Sequence, residues 1–396
     1  MRYLLLNQFF VPDTAAAGQL LGDVADALAQ RGHDVDVVCS RCAYAGGRVF
    51  ESYEQRNGVA VHRVGATGFG RRFLVGRVVD YLSFYVRARS KVRQLPRPDV
   101  CLALTTPPGI GHIGARLKHT GATKLALWIM DLYPQIAVAY GAVRDGSWIH
   151  RRLASRARKL YADADHIISL GNYMTARLQE AGADSRRIIT ARNWVPGGSG
   201  LSTQPTVRDE HHRMTVMYSG NLGLGHELDA LVKGVGSMPE EQRPGVVFVG
   251  SGKREDDLRK SVVHYGLRDV RFEDSVSLDR LAHNLARADV HVVAQRPGTV
   301  GLIVPSKIYG VLAAGRPVLF IGPAECEVAD IIRAADAGFI VSPGDAAGVA
   351  RALSTLSVSR ATRLAMGAAA REYFDKHLGD EASLKAILEC LGALEA

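Results

Sequence analysis

"DVHVVAQRPGTVGLIVPSKIYGVLAAGRPVLFIG", residues 289–322, holds three kinds of local structure in sequence. "DVHVVAQ" is apolar and β-branched, which predicts a strand. "RPGTVGLIVP" carries Gly298 and Gly301 and reads as a loop that can wrap closely around a ligand. A short amphipathic helix then opens at Ser306, a good N-cap residue. It buries Ile308, Val311 and Leu312 and closes on Gly315. "RPVLFIG" returns as a second strand. Strand, helix, strand in this order predicts two parallel strands joined by a crossover helix, with loop and helix head at the carboxyl end of the first strand.

The helix head carries an anomaly. A helix N-terminus bears partial positive charge, so Lys307 is unfavourable there unless an anion sits nearby. Between Val290 and Ala324 there is no Asp and no Glu, while Arg296, Lys307 and Arg316 are present. The anion then comes from outside the chain, and a phosphate or diphosphate fits free N–H groups, a hydroxyl and an ammonium. The bland alternative is a solvated lysine on a helix that happens to follow a glycine loop.

The same alternation runs through the whole chain. In the first half "RYLLLNQFF", "HDVDVVCS", "VAVHRVGA", "DVCLALTT", "KLALWIMD", "DHIISLG" and "RRIITARNWV" read as strands. "QLLGDVADALAQRG" is a helix that ends at Gly32. From Met214 onward "MTVMYSGN", "GVVFVGSG", "VRFED", "DVHVVAQ", "RPVLFIG" and "GFIVSPG" repeat the scheme. The stretch 196–212, "PGGSGLSTQPTVRDEHH", has no apolar period and reads as a linker. The expectation is α/β: two doubly wound, Rossmann-like domains facing a cleft at the carboxyl ends of their strands. The bounds are 1–196 for the first, 197–212 for the linker and 213–374 for the second.

Glycine turns follow other strands of the second half. "YSGNLGLGHELDALV" places Gly220, Asn221 and His226 after a strand, where they could reach a phosphate. "FVGSGKREDDL" does the same with Gly250, Ser251, Lys253 and Arg254. In the first half Gly18, in "PDTAAAGQLLGDV", stands at a helix head expected to face the same cleft. For acid–base chemistry, Asp131 ends "KLALWIMD" and His112 follows another strand in "TTPPGIGHIG". Either could contact an acceptor hydroxyl. Asp131 could equally cap a turn, and His112 could be an ordinary helix residue. The "DVD" at 34–36 and "DAD" at 163–165 precede strands and so fall away from the expected cleft, which argues against a metal.

Composition sets outer limits. A chain of 396 residues with 47% hydrophobic and 22% charged content is long enough for two domains and reads as soluble and globular. Five scattered cysteines predict free thiols, and "CSRC" at 39–42 lacks the second pair a zinc site needs. No apolar run reaches the ~18 residues that span a bilayer, and the opening "MRYLLLNQFFVPDT" reads as a strand, which predicts a cytoplasmic protein. The net charge of +9 is uneven. Residues 68–97 hold eight Lys and Arg against Asp80 alone, with Phe69, Phe73, Leu74, Tyr81, Phe84 and Tyr85 interleaved. The stretch would suit peripheral contact with an anionic membrane face, or a solvated helix whose aromatics enter the core. No motif accompanies the charge that would mark a nucleic-acid partner.

Together these segments resemble the two-lobed GT-B glycosyltransferases of the retaining family 4 type. The resemblance rests on "PDTAAAGQLLGDVADALAQRGHDVDVV", "DLYP" at 131–134, "RNWVP" at 192–196, "YSGNLG" at 218–223 and "GLIVPSKIYGVLAAGRPVLFIGPAECEVADII". The last looks like the bacterial subgroup that adds N-acetylamino sugars in surface-polysaccharide assembly. The resemblance implies a UDP-sugar donor on the second lobe and an acceptor on the first. It also implies retention of configuration without a metal or other cofactor, and a final helix, about 375–396, that packs back on the first lobe. Arg296 and Lys307 would stabilise the departing diphosphate. The family's paired glutamates have no counterpart at the expected positions; the second would fall near Gly310. Glu325 or Glu327 would take over that contact. The implied acceptor is a lipid-linked glycan or a small natural product. The alternatives are a nucleotide-sugar epimerase or hydrolase of the same fold, or a nucleotide-sugar-binding subunit without activity.

Overall fold

The computed structural model describes residues 1–44, 49–67, 74–196, 213–223, 228–277 and 280–394. The expected linker 197–212, Arg71, Arg72 and His226 lie outside them.

The chain divides into two compact units. The first comprises Met1–Arg192, Gly301–Ile303 and Glu381–Ala396, and the second Asn193–Val300 and Val304–Asp380. The division between the units therefore falls at Arg192, four residues before the expected end of the first domain at 196. The segment grouped with unit 1 at the C-terminus starts at Glu381, later than the expected 375.

Unit 1 begins with β1 (Arg2–Leu6), α1 (Ala16–Gln30), β2 (Asp34–Ser40), β3 (Tyr53–Arg56) and β4 (Val59–Val64). It continues through α2 (Leu74–Val92), β5 (Val100–Ala103), α3 (Gly111–His119), β6 (Lys124–Trp128), α4 (Gln135–Ala139) and α5 (Trp148–Asp163). It closes with β7 (His166–Ser169), α6 (Asn172–Glu180) and β8 (Ile188–Thr190). The sheet order is β3-β4-β2-β1-β5-β6-β7-β8. All seven strands read from the sequence are present and mutually parallel; β3 is an addition. It pairs antiparallel with β4 through a hairpin whose Asn57 and Gly58 have φ of 48° and 83°, the left-handed pair a tight two-residue turn demands. Burial explains the parallel strands: β1 and β5 are almost wholly sheltered, as strands covered on both faces must be.

Unit 2 runs β9 (Thr215–Ser219), α7 (Asp229–Ser237), β10 (Gly245–Val249), α8 (Glu255–His264), β11 (Val270–Glu273), α9 (Leu281–Ala286) and β12 (Val290–Ala294). Then come α10 (Lys307–Ala313), β13 (Val318–Ile321), α11 (Glu327–Ala335), β14 (Gly338–Val341), α12 (Ala346–Val358) and α13 (Arg360–His377). The last helix, α14, spans Asp380–Gly392. The six-stranded sheet has the order β11-β10-β9-β12-β13-β14, parallel throughout. Two cores flank it. Val216, Tyr218, Phe248 and Val292 point into one; Val293, Phe320, Ile308 and Leu312 belong to the other. From β9 the chain winds outward one way to β10 and β11 and the other way to β12, β13 and β14. The switch between β9 and β12 is where loops part and ligands enter such sheets.

Two expectations for α10 are corrected. Its residues Ile308–Ala313 are all buried, so the helix is embedded and not amphipathic. Ser306 itself adopts helical φ and ψ (−62°, −14°), and its side chain makes no capping bond. Gly315 closes the helix at φ +60°, as read.

Candidate donor site at the switch point of unit 2

Gly220 and Gly250 end the neighbouring strands β9 and β10, at φ of +135° and +119°. The Gly220 N–H donates to the Val249 carbonyl at 2.8 Å, and the Gly250 N–H to the Glu273 carbonyl at 2.8 Å. A Cβ on Gly250 would run into the Gly220 carbonyl, and one on Gly252 would sit 2.7 Å from Asn221 Oδ1. The two turns are stitched further. Leu222 N–H donates to the Ser251 carbonyl, and Arg254 N–H to the Leu222 carbonyl, both at 3.0 Å. Ser251 and Lys253 are exposed on this surface.

The side chain of Lys307 crosses Gly220. A Cβ there would lie 3.1 Å from Nζ and closer still to Cε. Nζ stands 5.0 Å from the centre of the Tyr218 ring, a cation–π arrangement. The Tyr218 hydroxyl donates to the Asn221 carbonyl at 2.8 Å. Crowding by the surrounding protein pulls the ammonium of Lys307 down to about 8. Tyr218 was not foreseen. Its signal lay in plain view as the residue two before the first glycine of "YSGN". Ser219 was also missed; its Oγ accepts from Asn284 Nδ2 at 3.2 Å.

The remaining donor-side candidates separate into distinct roles. Arg296 is exposed directly after β12, and its carbonyl accepts from Thr299 Oγ1 at 2.8 Å. Arg254 is committed to Asp229, with Nη2 2.6 Å from Oδ2, so its guanidinium first of all ties α8 to α7. Glu325 is exposed after β13, while Glu327 is nearly buried as the first residue of α11, where a carboxylate suits the helix head. Gly18 belongs to unit 1. It lies inside the first turn of α1, and a Cβ would approach the backbone of Phe9 and Phe10 to 3.0 Å. Close packing alone thus accounts for that glycine.

Asp131, in unit 1, follows β6. Its N–H and that of Met130 donate to Thr105 Oγ1 at 3.1 and 3.2 Å. Burial raises its carboxyl to about 6, with Arg77 pulling the other way. Tyr133 feels Asp131, Tyr81, Arg77 and Tyr140 together, so these groups form one cluster. Arg77 Nε donates to the Tyr81 hydroxyl at 2.8 Å. His112 stands in the first turn of α3. Its imidazole is held below the usual range by burial and then by Arg156 and Lys159, with Asp163 opposing; all three belong to α5. The charges that act on His112 are thus not those that act on Asp131.

Of the weaker motifs, Asp36 bonds His62 at 2.8 Å, and Asp165 bonds Lys118 at 2.7 Å. Both are structural pairs. All five cysteines are free thiols. Among the described residues no group of three or more His, Cys, Asp or Glu is arranged to hold a metal, and no helix is long and apolar enough to cross a membrane.

Known proteins converge on the same architecture. Residues 16–194 match the Glycosyl transferase 4-like domain, and residues 213–358 match the Glycosyl transferases group 1 family. The "Probable glycosyltransferase WbjE" of Pseudomonas aeruginosa is 23% identical over 329 residues, 81% of this chain and 80% of that one. WcaI of Escherichia coli K12, whose name assigns it to colanic acid biosynthesis, is 22% identical over 356 residues, covering 84% and 86%. Among solved structures, HepE of Anabaena in complex with UDP-glucose superposes with a TM-score of 0.71 at 14% identity, covering 99% of this chain and 100% of that one. With two matched domains in the right order and parallel sheets of the right kind, the chain belongs to the GT-B glycosyltransferases of the family 4 type.

Proposed function

We propose that the protein is a retaining transferase that moves a hexose or N-acetylhexosamine from a UDP-sugar to a hydroxyl group. The acceptor is a lipid-linked glycan or a small natural product. One observation carries the reading: the Lys307 ammonium lies across Gly220, at the β9–β12 switch point, in a segment without carboxylates from Val290 to Ala324. A diphosphate set there would restore the full charge of Lys307, because an anion offsets the desolvation that depresses it. UDP as the nucleotide is supported by the UDP-glucose complex of the Anabaena neighbour, and a glycan acceptor by the name of WcaI.

In the proposed step the bond from the anomeric carbon to the diphosphate oxygen breaks while the acceptor oxygen bonds to that carbon on the same face. The acceptor proton passes to the departing phosphate oxygen. Negative charge grows on the leaving group, and Lys307 with Arg296 stabilises it. Preorganised charge of this kind is usually the largest catalytic contribution. Both groups come from the chain, so the step is assigned without a metal. Asp131, whose carboxyl burial raises to about 6, is the acceptor-side candidate of unit 1: as a carboxylate it accepts a hydrogen bond from a hydroxyl group of the acceptor other than the attacking one.

The test is a thermal-shift screen of UDP, UDP-glucose and UDP-N-acetylglucosamine on wild type and Lys307→Met. The wild type is expected to be stabilised by a uridine nucleotide and the variant not. Equal stabilisation of both would remove Lys307 from the site.

A further inference from the structure

Two helices of unit 1 present apolar side chains to solvent beside a concentration of arginines. On α2 the buried stripe is Phe84, Ala88 and Val92. The opposite side is also apolar: Val78, Leu82 and Val86 follow one another at four-residue steps, with Leu82 60% and Val86 65% exposed. A helix apolar on two sides is normally enclosed on both. On α5, Trp148 is 68% exposed and Ile149 and Leu153 lie open beside it. That helix carries Arg151, Arg152, Arg156, Arg158 and Lys159 against Asp163 alone. None of those five cations forms an ion pair among the described residues, and the Arg152 guanidinium lies 5.8 Å from the centre of the Trp148 ring.

The two helices share one cationic neighbourhood. Arg89 of α2, Arg116 of α3 and Arg156 of α5 all act on the Tyr85 hydroxyl, so three helices bring like charges to one place. Self-repelling guanidiniums flanked by open Leu, Val, Ile and Trp are the arrangement an interfacial surface uses. The cations meet phosphate, the aromatic and aliphatic groups enter the headgroup boundary, and the arginine stems cover the transition. We propose that this face of unit 1, built by α2 and α5 with Arg116 of α3, docks on an anionic phospholipid bilayer. The proposal stands apart from the donor site: it uses none of its residues and would survive the loss of the UDP-sugar assignment. It also moves the emphasis from the basic stretch 68–97 to α5, which the sequence reading did not single out.

The chain supplies its own probe. Of three tryptophans, Trp128 and Trp194 are buried and Trp148 is open. Adding vesicles of phosphatidylglycerol and phosphatidylcholine to the full-length protein should shift the emission to the blue and carry the protein upward in flotation. Pure phosphatidylcholine should do neither. Trp148→Phe should remove the spectral shift and retain most of the flotation. Arg152→Glu with Arg156→Glu should lower partitioning at least about tenfold, because each cation near an anionic surface contributes on the order of a tenfold step or somewhat less. These positions are exposed, so an unchanged melting temperature will show that the variants fold. Three results would overturn the proposal: protein that stays in solution with anionic vesicles, equal binding to neutral ones, or a blue shift produced by a single-stranded oligonucleotide and not by vesicles.

Discussion

Lys307 in unit 2 and Asp131 in unit 1 are ionisable groups of opposite sign, each set beyond the carboxyl end of a parallel strand. Burial pushes both toward the uncharged form, to about 8 for the lysine and about 6 for the aspartate. Their surroundings differ. Lys307 lies on glycine turns held by backbone hydrogen bonds, above an aromatic ring, with no carboxylate in its whole sequence segment. Asp131 lies in a cluster of tyrosines with a guanidinium close by. A strong anion placed in the first environment would offset the desolvation that depresses the lysine. The second is balanced without one, and suits a neutral hydroxyl. The comparison teaches that each unit keeps one poised charge, and that the neighbours decide what chemistry it accepts.

The comparison breaks most sharply at Lys307. Lys307→Met should lower the rate of sugar transfer at least about a hundredfold, the scale of losing one preorganised contact to a developing anion. The same change should raise the melting temperature of the ligand-free protein at pH 7. The sign follows from linkage: a lysine at about 8 when folded and about 10.4 when unfolded binds its proton less tightly in the folded state. Wild-type stability therefore increases as pH climbs from 8 to 10.4, and below 8 the buried charge opposes folding, by on the order of 1 kcal/mol after solvent screening. Scanning calorimetry on both proteins across this range checks it; a variant that melts lower at pH 7 contradicts it.

Gly220→Ala comes next. The backbone at φ +135° disfavours any Cβ, and this one would press on Lys307. A stability loss of about 1–3 kcal/mol is expected by urea unfolding. Weaker UDP binding should accompany it, whereas Gly298→Ala, with nothing near its would-be Cβ, should bind normally.

Asp131→Asn sharpens the other side. If the carboxylate takes an acceptor hydroxyl other than the attacking one, wild-type kcat/KM for the acceptor should rise as pH passes upward through about 6. The variant should lose that limb and about tenfold in rate. Here the linkage runs the other way. The folded carboxyl, raised to about 6 from an ordinary value near 4, holds its proton more tightly. Its contribution is present below pH 4 and is lost as pH rises through 6, so Asp131→Asn should be the more stable protein at pH 8. The smallest effect belongs to Ser306→Ala. With no capping bond to lose, less than about 0.5 kcal/mol should change.

Much of the fold was legible because strands buried on both faces have nowhere to hide their composition. "KLALWIMD" and "DVHVVAQ" could be little else. The hairpin of β3 went unread although Asn57-Gly58 is the strongest short turn signal a sequence offers. Its flanking "SYEQR" is polar and half-exposed, so apolar periodicity did not mark it as a strand. The candidate site could be proposed from sequence where its features are local to the chain: turn residues marked Gly220 and Gly250, a misplaced charge marked Lys307, and the fold brings the three together. It was illegible where partners are distant in sequence. Nothing in "GKREDD" says that Arg254 is held by Asp229, and nothing in "MYSGN" says that the Tyr218 ring lies beneath the Lys307 ammonium. Ser306 shows the converse: a good capping residue in the right place caps nothing once φ and ψ are already helical.

The hydroxyl of Tyr218 grips the carbonyl of Asn221, and the 250–254 turn braces the same loop from the other side. A receptor braced on two flanks before its guest arrives has little freedom left to surrender. If the proposed nucleotide docks here, the ordering penalty of capture falls on it rather than on this part of the protein. Loosening the brace, for example with Tyr218→Phe, would leave every charge in place and still make the nucleotide easier to lose.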